Sequence, residues 1–197
     1  MEFSKELSQN MEYLQEKLDV NTNFDIVYRV IHAGGRDICL YFIDGFTKDE
    51  VWLRILQSFF TIKQGDYPED PHQFSKEYLP YGEVGLVYTS QEMISQLLMG
   101  VSCLFVDGYD CCFTLDCRTY PARSVSEPDK DKVLRGSRDG FVETLIFNTA
   151  LIRRRIRDPK LTMEIVTAGE SSHTDIAICY MKERVDENLL DQVKKRI

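Results

Sequence analysis

Asp25-Ile26-Val27-Tyr28-Arg29-Val30-Ile31-His32-Ala33, then Gly34-Gly35, then Arg36-Asp37-Ile38-Cys39-Leu40-Tyr41-Phe42-Ile43 is the stretch that decides the fold. Asp25–Ala33 and Asp37–Ile43 both alternate with a period of two, and the paired glycines supply a tight turn, so the segment reads as a β-hairpin. Upstream, Ser4–Leu18 has a helical period, with Leu7, Met11, Leu14 and Leu18 on one stripe. Downstream, Thr47 is placed to cap a second helix. Asp49 and Glu50 fall in its first turn, and Val51, Ile55 and Phe59 form its apolar face.

That order returns near the end of the chain. Phe141–Arg157 reads as a helix, Leu161–Ala168 and Asp175–Met181 as strands joined by the longer turn Gly169–Thr174, and Asp186–Arg196 as a closing helix. Between the two copies, Val101–Val106 and Cys111–Leu115 flank Asp107-Gly108, a type I′ turn signal. A strand over Glu83–Tyr88 and a helix over Gln91–Met99, capped by Ser90, precede it. Helix–β-hairpin–helix units of this kind predict an α/β or α+β fold in two lobes with mixed sheets. The expected division is 1–120 and 121–197, with a Pro- and charge-rich linker at about 119–132. Loops or disorder are expected around Gln64–Lys76 and Ser124–Lys132. The Asp that opens several second strands fits turn chemistry, and a repeated unit speaks of folding more than of activity.

Composition narrows the function class. The 197 residues carry a net charge of −8, which argues against a general nucleic-acid binder. Residues 1–120 hold 9 Lys/Arg against 19 Asp/Glu, whereas residues 121–197 hold 15 against 13. That asymmetry fits two surfaces, the second able to meet an acidic partner or an anionic lipid face, or simply a solvated exterior. The six cysteines include no C-x-x-C pair, and three histidines leave no zinc-finger spacing. Free cysteines in alternating apolar runs are small core residues and fit a reducing compartment. Met1–Asp19 reads as a charged amphipathic helix rather than a signal peptide. The apolar run Leu97–Val106 is about half of the ~20 residues needed to span a bilayer.

Catalytic signals are thin. There is no G-x-S-x-G elbow, and His32, His72 and His173 fall in a strand, a Pro-rich loop and a turn. Gly34-Gly35 is a hairpin turn, not a phosphate loop. Gly136-Ser137-Arg138-Asp139-Gly140 could hold an anion at a helix start, but capping by Ser137 or Asp139 explains it more simply. The run Arg153-Arg154-Arg155-Ile156-Arg157 complements a helix C-terminus and suits ion pairing, within the chain or between subunits. Phe141–Ile156 is apolar nearly all round, which suits a helix buried centrally or sandwiched between partners, and Asn148 inside it needs hydrogen bonds.

One stretch is more specific. Pro121-Ala122-Arg123-Ser124-Val125-Ser126-Glu127-Pro128, then Leu134-Arg135-Gly136-Ser137-Arg138-Asp139-Gly140-Phe141-Val142-Glu143-Thr144-Leu145, then Asn148 and Leu151-Ile152-Arg153-Arg154-Arg155-Ile156, resembles the signature of the spore germinant receptor A-subunit family. The hairpin Thr174-Asp175-Ile176-Ala177-Ile178-Cys179-Tyr180 continues it. Within the family, the Arg-rich form is more similar to the stage V sporulation AF type than to the nutrient-receptor subunits.

The resemblance implies a soluble N-terminal region on the cytoplasmic, spore-core side of the spore inner membrane, followed by a membrane part that this sequence lacks. It implies partner germination subunits, homo-oligomers that conduct ions, and a role in assembly and signal transmission during nutrient-triggered germination. It offers no catalytic residue to carry over, and with the residue pattern and charge above no cofactor, metal or nucleic acid is expected. On this reading Arg135, Arg138, Asp139, Glu143, Asn148 and Arg153 hold the second lobe together or meet a neighbour. The alternative is a two-lobed module binding a small molecule or ion between its lobes; an enzyme would need a Cys–His or carboxylate pair assembled by the fold.

Overall fold

The computed structural model describes residues 1–47, 49–120 and 140–197. The fold is α+β. Its elements are α1 (Leu7–Leu18), β1 (Ile26–Ala33), β2 (Arg36–Ile43), α2 (Asp49–Phe59), α3 (Pro71–Tyr78), β3 (Val84–Val87), α4 (Ser90–Leu98), β4 (Ser102–Val106), β5 (Cys112–Leu115), α5 (Leu145–Arg155), β6 (Leu161–Ala168), β7 (Thr174–Met181) and α6 (Glu187–Arg196). A five-stranded sheet runs β1-β2-β4-β5-β3, and β6-β7 make a second, two-stranded sheet. Every strand pairing in both is antiparallel.

The deciding hairpin forms in the register its turn demands. Ala33 pairs with Arg36, and Gly34 and Gly35 have φ of +55° and +83°, the left-handed pair of a type I′ turn. Alternation then sorts the large sheet's side chains. Ile31, Ile38, Leu40, Leu104 and Phe113 face α2 and α3. Cys39, Tyr41, Cys103, Phe105 and Cys112 face α1 and α4. Each face thus has its own core, and five of the six cysteines are buried in them.

Several local expectations move. Ser102–Val106 and Cys112–Leu115 are strands, but only Gly108 in the connecting loop has positive φ, so no two-residue I′ turn forms there. The reason is that the loop serves α1. The Asp107 carboxylate accepts the Leu7 N–H at 3.0 Å, and the Gly108 N–H donates to Lys5 O at 2.8 Å, while Glu6 at the N-cap makes no side-chain bond. The loop expected around Gln64–Lys76 contains the start of α3. Asp70 caps it, Pro71 fills its first turn, and Phe74 is fully buried among Tyr67, Tyr78, Tyr109 and Phe113. Thr89, not Ser90, caps α4, accepting the Glu92 N–H at 3.4 Å. The Thr47 hydroxyl lies 3.3 Å from Ser102 Oγ, and the cap position at residue 48 lies outside the described residues.

α5 begins at Leu145, four residues later than its periodicity predicts, with Thr144 at the N-cap. Ser137 and Asp139, expected as caps, lie outside the described residues. The delay has a visible cause. Asn148 Oδ1 accepts the Val142 N–H and its Nδ2 donates to Val142 O, both at 2.7 Å, folding the incoming chain back on the first turn. The helix is buried only along Thr149, Ala150 and Arg153, and Phe147 on another side is exposed.

Candidate functional site

The candidate site is the seam where the small sheet and α5 meet the connector between α1 and β1. α1 ends at Asp19, which adopts a left-handed φ of +48° and turns the chain back toward β1. Asn23 then serves two elements at once. Its Nδ2 donates to Leu18 O at 2.8 Å, closing the end of α1, and its Oδ1 accepts the Met163 N–H at 2.8 Å. The Phe24 N–H returns to Met163 O at 3.1 Å, so β6 docks on the connector through both backbone groups of one residue.

Beside this clasp lies a buried ion pair. Arg153 has a relative exposure of 0% and Asp25 of 1%. Arg153 Nε reaches Asp25 Oδ2 at 2.7 Å and Nη2 reaches Oδ1 at 3.0 Å, a bidentate fork. Two further donors are used as well: Nη2 donates to Leu161 O at 3.1 Å and Nη1 to Asp158 O at 3.3 Å. One guanidinium thereby ties the start of β1, the end of α5 and the start of β6. A buried charge pair is tolerated only when its lone pairs and protons are satisfied in this way.

Apolar and exposed contacts extend the seam. Ala150 belongs to the core cluster of Phe46 and Tyr41. Gly45 has φ of +81°, and a Cβ there would stand 3.0 Å from Ile146 Cγ2, so the β2–α2 loop approaches α5 as closely as a glycine permits. The Arg154 guanidinium lies 4.5 Å over the Tyr120 ring, which forms a T-shaped pair with Phe46. At the rim, Lys182 Nζ meets Asp19 Oδ2 at 2.6 Å. Burial pushes the Asp19 carboxyl up, but the hydrogen bonds from Lys182 and Thr22 outweigh it and hold it below the usual range. Glu164 behaves alike: burial raises it, while Lys194 at 2.6 Å and the Tyr180 hydroxyl bring it below its ordinary value.

Of the six residues singled out from sequence, Arg153 lies at the centre of this seam and Asn148 clasps Val142 at the start of α5. Glu143 is exposed just ahead of that helix. Arg135, Arg138 and Asp139 lie outside the described residues. Asp25, Asn23 and Asp19 were missed. Asp25 carried a faint signal, a carboxylate at the head of a strand whose next two residues, Ile26 and Val27, are apolar. His32 pairs with Asp37 at 2.7 Å on the exposed hairpin end. Among the described residues no cluster of His, Cys, Asp and Glu could hold a metal ion. No helix among them is long and apolar enough to cross a membrane.

Comparison with known proteins decides the family. Residues 12–197 match the model of the Bacillus/Clostridium GerA spore germination protein. The chain belongs to the GerA family. This GerA-family chain is 34% identical over 191 residues to stage V sporulation protein AF of Bacillus subtilis (strain 168), covering 96% of the chain and 39% of that protein. It is 30% identical over 190 residues to spore germination protein KA of the same organism, covering 93% of the chain and 34% of the relative. It therefore spans less than half the length of these relatives. The crystal structure of the N-terminal domain of the A subunit of the Bacillus megaterium spore germinant receptor GerK3 superposes with a TM-score of 0.75 at 22% identity. That likeness covers 100% of this chain and 72% of the other, and it shows a shared fold.

Proposed function

We propose that this GerA-family chain is the part of a spore inner-membrane germination protein that lies on the cytoplasmic side, where it passes a conformational signal between partner subunits and the membrane part. It does so as two lobes, 1–120 and 121–197, without chemistry of its own. The observation that carries the reading is the buried Arg153–Asp25 fork. A charge pair sealed from water, with every arm of the guanidinium satisfied, fixes orientation as well as distance. A push on the β6-β7 lobe is then felt at the start of β1 instead of being absorbed by a loose linker. Arg135, Arg138, Asp139 and Glu143 are proposed to face neighbouring subunits from the segment leading into α5, while Asn148 and Arg153 act within the chain.

Two experiments test this. The native gene downstream of Ile197 should encode several apolar segments of about 20 residues. A stop codon there removes the membrane role. In spores carrying the complete protein, exchanging the charges (Asp25→Arg with Arg153→Asp) should restore germination rate and ion release that either single change impairs. Failure of both singles to slow germination sinks the idea that this seam transmits the signal.

A further inference from the structure

β7 holds the place in the small sheet that β2 holds in the large one, but with one side open. Asp37-Ile38-Cys39-Leu40-Tyr41 of β2 matches Asp175-Ile176-Ala177-Ile178-Cys179 of β7 in pattern, and α6 follows β7 as α2 follows β2. β2 has a strand on each side, β1 and β4, and five of its eight residues are buried. β7 pairs with β6 alone, and none of its eight residues is buried. α6 has no buried residue either, and Leu189, Val193 and Ile197, each four positions apart, expose one apolar stripe. The ladder phase shows which backbone groups are open. The Lys182 N–H donates to Lys160 O at 2.9 Å, continuing the β6-β7 pairing, so Ile176, Ile178 and Tyr180 bond to β6 while Ala177 and Cys179 turn their N–H and C=O outward. Among the described residues no hydrogen bond reaches those outward groups. On β6 the outward groups are taken: those of Met163 by Phe24 and Asn23, and Leu161 O by Arg153. In β2 the matching residues, Cys39 and Tyr41, stand in register with Phe105 and Cys103 of β4.

We propose that the open edge of β7 takes a third strand, supplied by the chain that follows α6 in the complete protein, in the place β4 takes beside β2. A row of outward N–H and C=O groups recognises an extended backbone, and a two-stranded ribbon is marginal without a further strand. Three observations choose this occupant over a second copy of the chain. The repeat puts the open groups at the residues that β2 pairs with a later strand of its own chain. Whatever follows Ile197 leaves α6 at the end of its exposed apolar stripe, beside the surface it covers. The GerK3 N-terminal domain, which shares this fold, is matched over 72% of its length, so that fold carries further chain. The pairing stands without the germination reading, yet it gives that reading a route: the onward chain is bonded through β7 and β6 to the clasp of Met163 on Phe24.

Amide hydrogen exchange resolved to single residues compares the complete protein in lipid nanodiscs with residues 1–197 alone. Ala177 and Cys179 should exchange about tenfold or more slowly in the complete protein, while Ile176 and Ile178, bonded to β6 in both, change by less than about threefold. Ala177→Pro removes one outward N–H and no bond to β6, a substitution that sheet edges tolerate. In the complete protein it should return Cys179 to the rate seen in residues 1–197. Where the proline unfolds the ribbon, the comparison of the two unsubstituted chains still decides. Equal rates at Ala177 and Cys179 in both chains overturn the assignment, as does slowing confined to α6. Protection in residues 1–197 that grows with protein concentration overturns it in favour of a second copy. Open amides at these two positions in a protein that does carry membrane segments sink the third strand and leave the germination reading standing.

Discussion

Replacing Arg153 by methionine keeps most of the apolar volume and removes the charge. Asp25, 1% exposed, is then left as a buried carboxylate with its principal partner gone, and Leu161 O and Asp158 O each lose a donor. Breaking a buried pair from one side costs about 3–5 kcal/mol, because the surviving charge cannot be rehydrated in place. Against a total stability of about 5–15 kcal/mol this is a large fraction. At a urea slope of about 2 kcal/mol/M, the midpoint should fall by about 2 M. Replacing both members, Asp25→Leu with Arg153→Met, removes the stranded charge and leaves only the two carbonyls short of a donor, at about 1 kcal/mol each. The double variant should therefore be more stable than the Arg153→Met single. Urea unfolding followed by far-UV circular dichroism and by Trp52 emission gives both numbers and shows whether the two regions unfold together. A loss below about 1 kcal/mol in the single variant, or strict additivity in the double, refutes the claim that the seam rests on this pair.

Other consequences are simpler. Gly45→Ala should destabilise more than Gly65→Ala: both glycines have positive φ, +81° and +91°, but only at Gly45 does the new Cβ meet α5, and urea midpoints separate contact from strain. Asn148→Ala should cost about 1–3 kcal/mol by freeing Val142, seen as loss of amide-exchange protection at the start of α5. Asp116 is held below the usual carboxylate range by its hydrogen bonds to Arg118, and Asp19 and Glu164 are net lowered despite burial. Groups with depressed folded pKa values stabilise the fold above their unfolded pKa of about 4 and lose that contribution as pH falls through the folded values. Unfolding free energy should therefore hold to about pH 5 and decline below about pH 4. Burial pushes the thiols of Cys39 and Cys111 up to about 12, so a thiol reagent at neutral pH should label half-buried Cys179 first and the other five cysteines only after unfolding.

Local pattern carried the hairpins, because alternation and turn glycines act within a few residues. β1-β2 and β6-β7 form where their periods place them, and the amphipathic α1 ends at Leu18 as expected but begins at Leu7, three residues after Ser4. Two departures come from a side chain that satisfies backbone groups outside the local period. Asp107 looked like a hairpin residue and is the cap that α1 lacks. Phe141–Thr144 continued the apolar pattern of α5 but are held outside it by Asn148. The start of α3 was legible, since Asp70-Pro71 is a helix-start signal, yet charge and proline in the surrounding loop masked it.

The arginine run shows where sequence reading ends and three-dimensional pairing begins. Four arginines at a helix end admit a general account, charge against the helix dipole, and that account treats them alike. The structure uses them differently. Arg153 is fully buried and spends its guanidinium on Asp25, 128 positions earlier in the chain. Arg154 lies on the Tyr120 ring, at the last described residue before the segment leading toward α5. Arg157 Nε donates to Arg154 O at 3.2 Å, just past the last turn of its own helix. Only the first of these roles needs the bidentate geometry that a lysine cannot supply. Arg153→Lys should consequently fail almost as badly as Arg153→Met, because an ammonium cannot reach Asp25 and Leu161 O from one fixed plane. Arg154→Lys should be tolerated, since an ammonium still lies favourably over the Tyr120 ring.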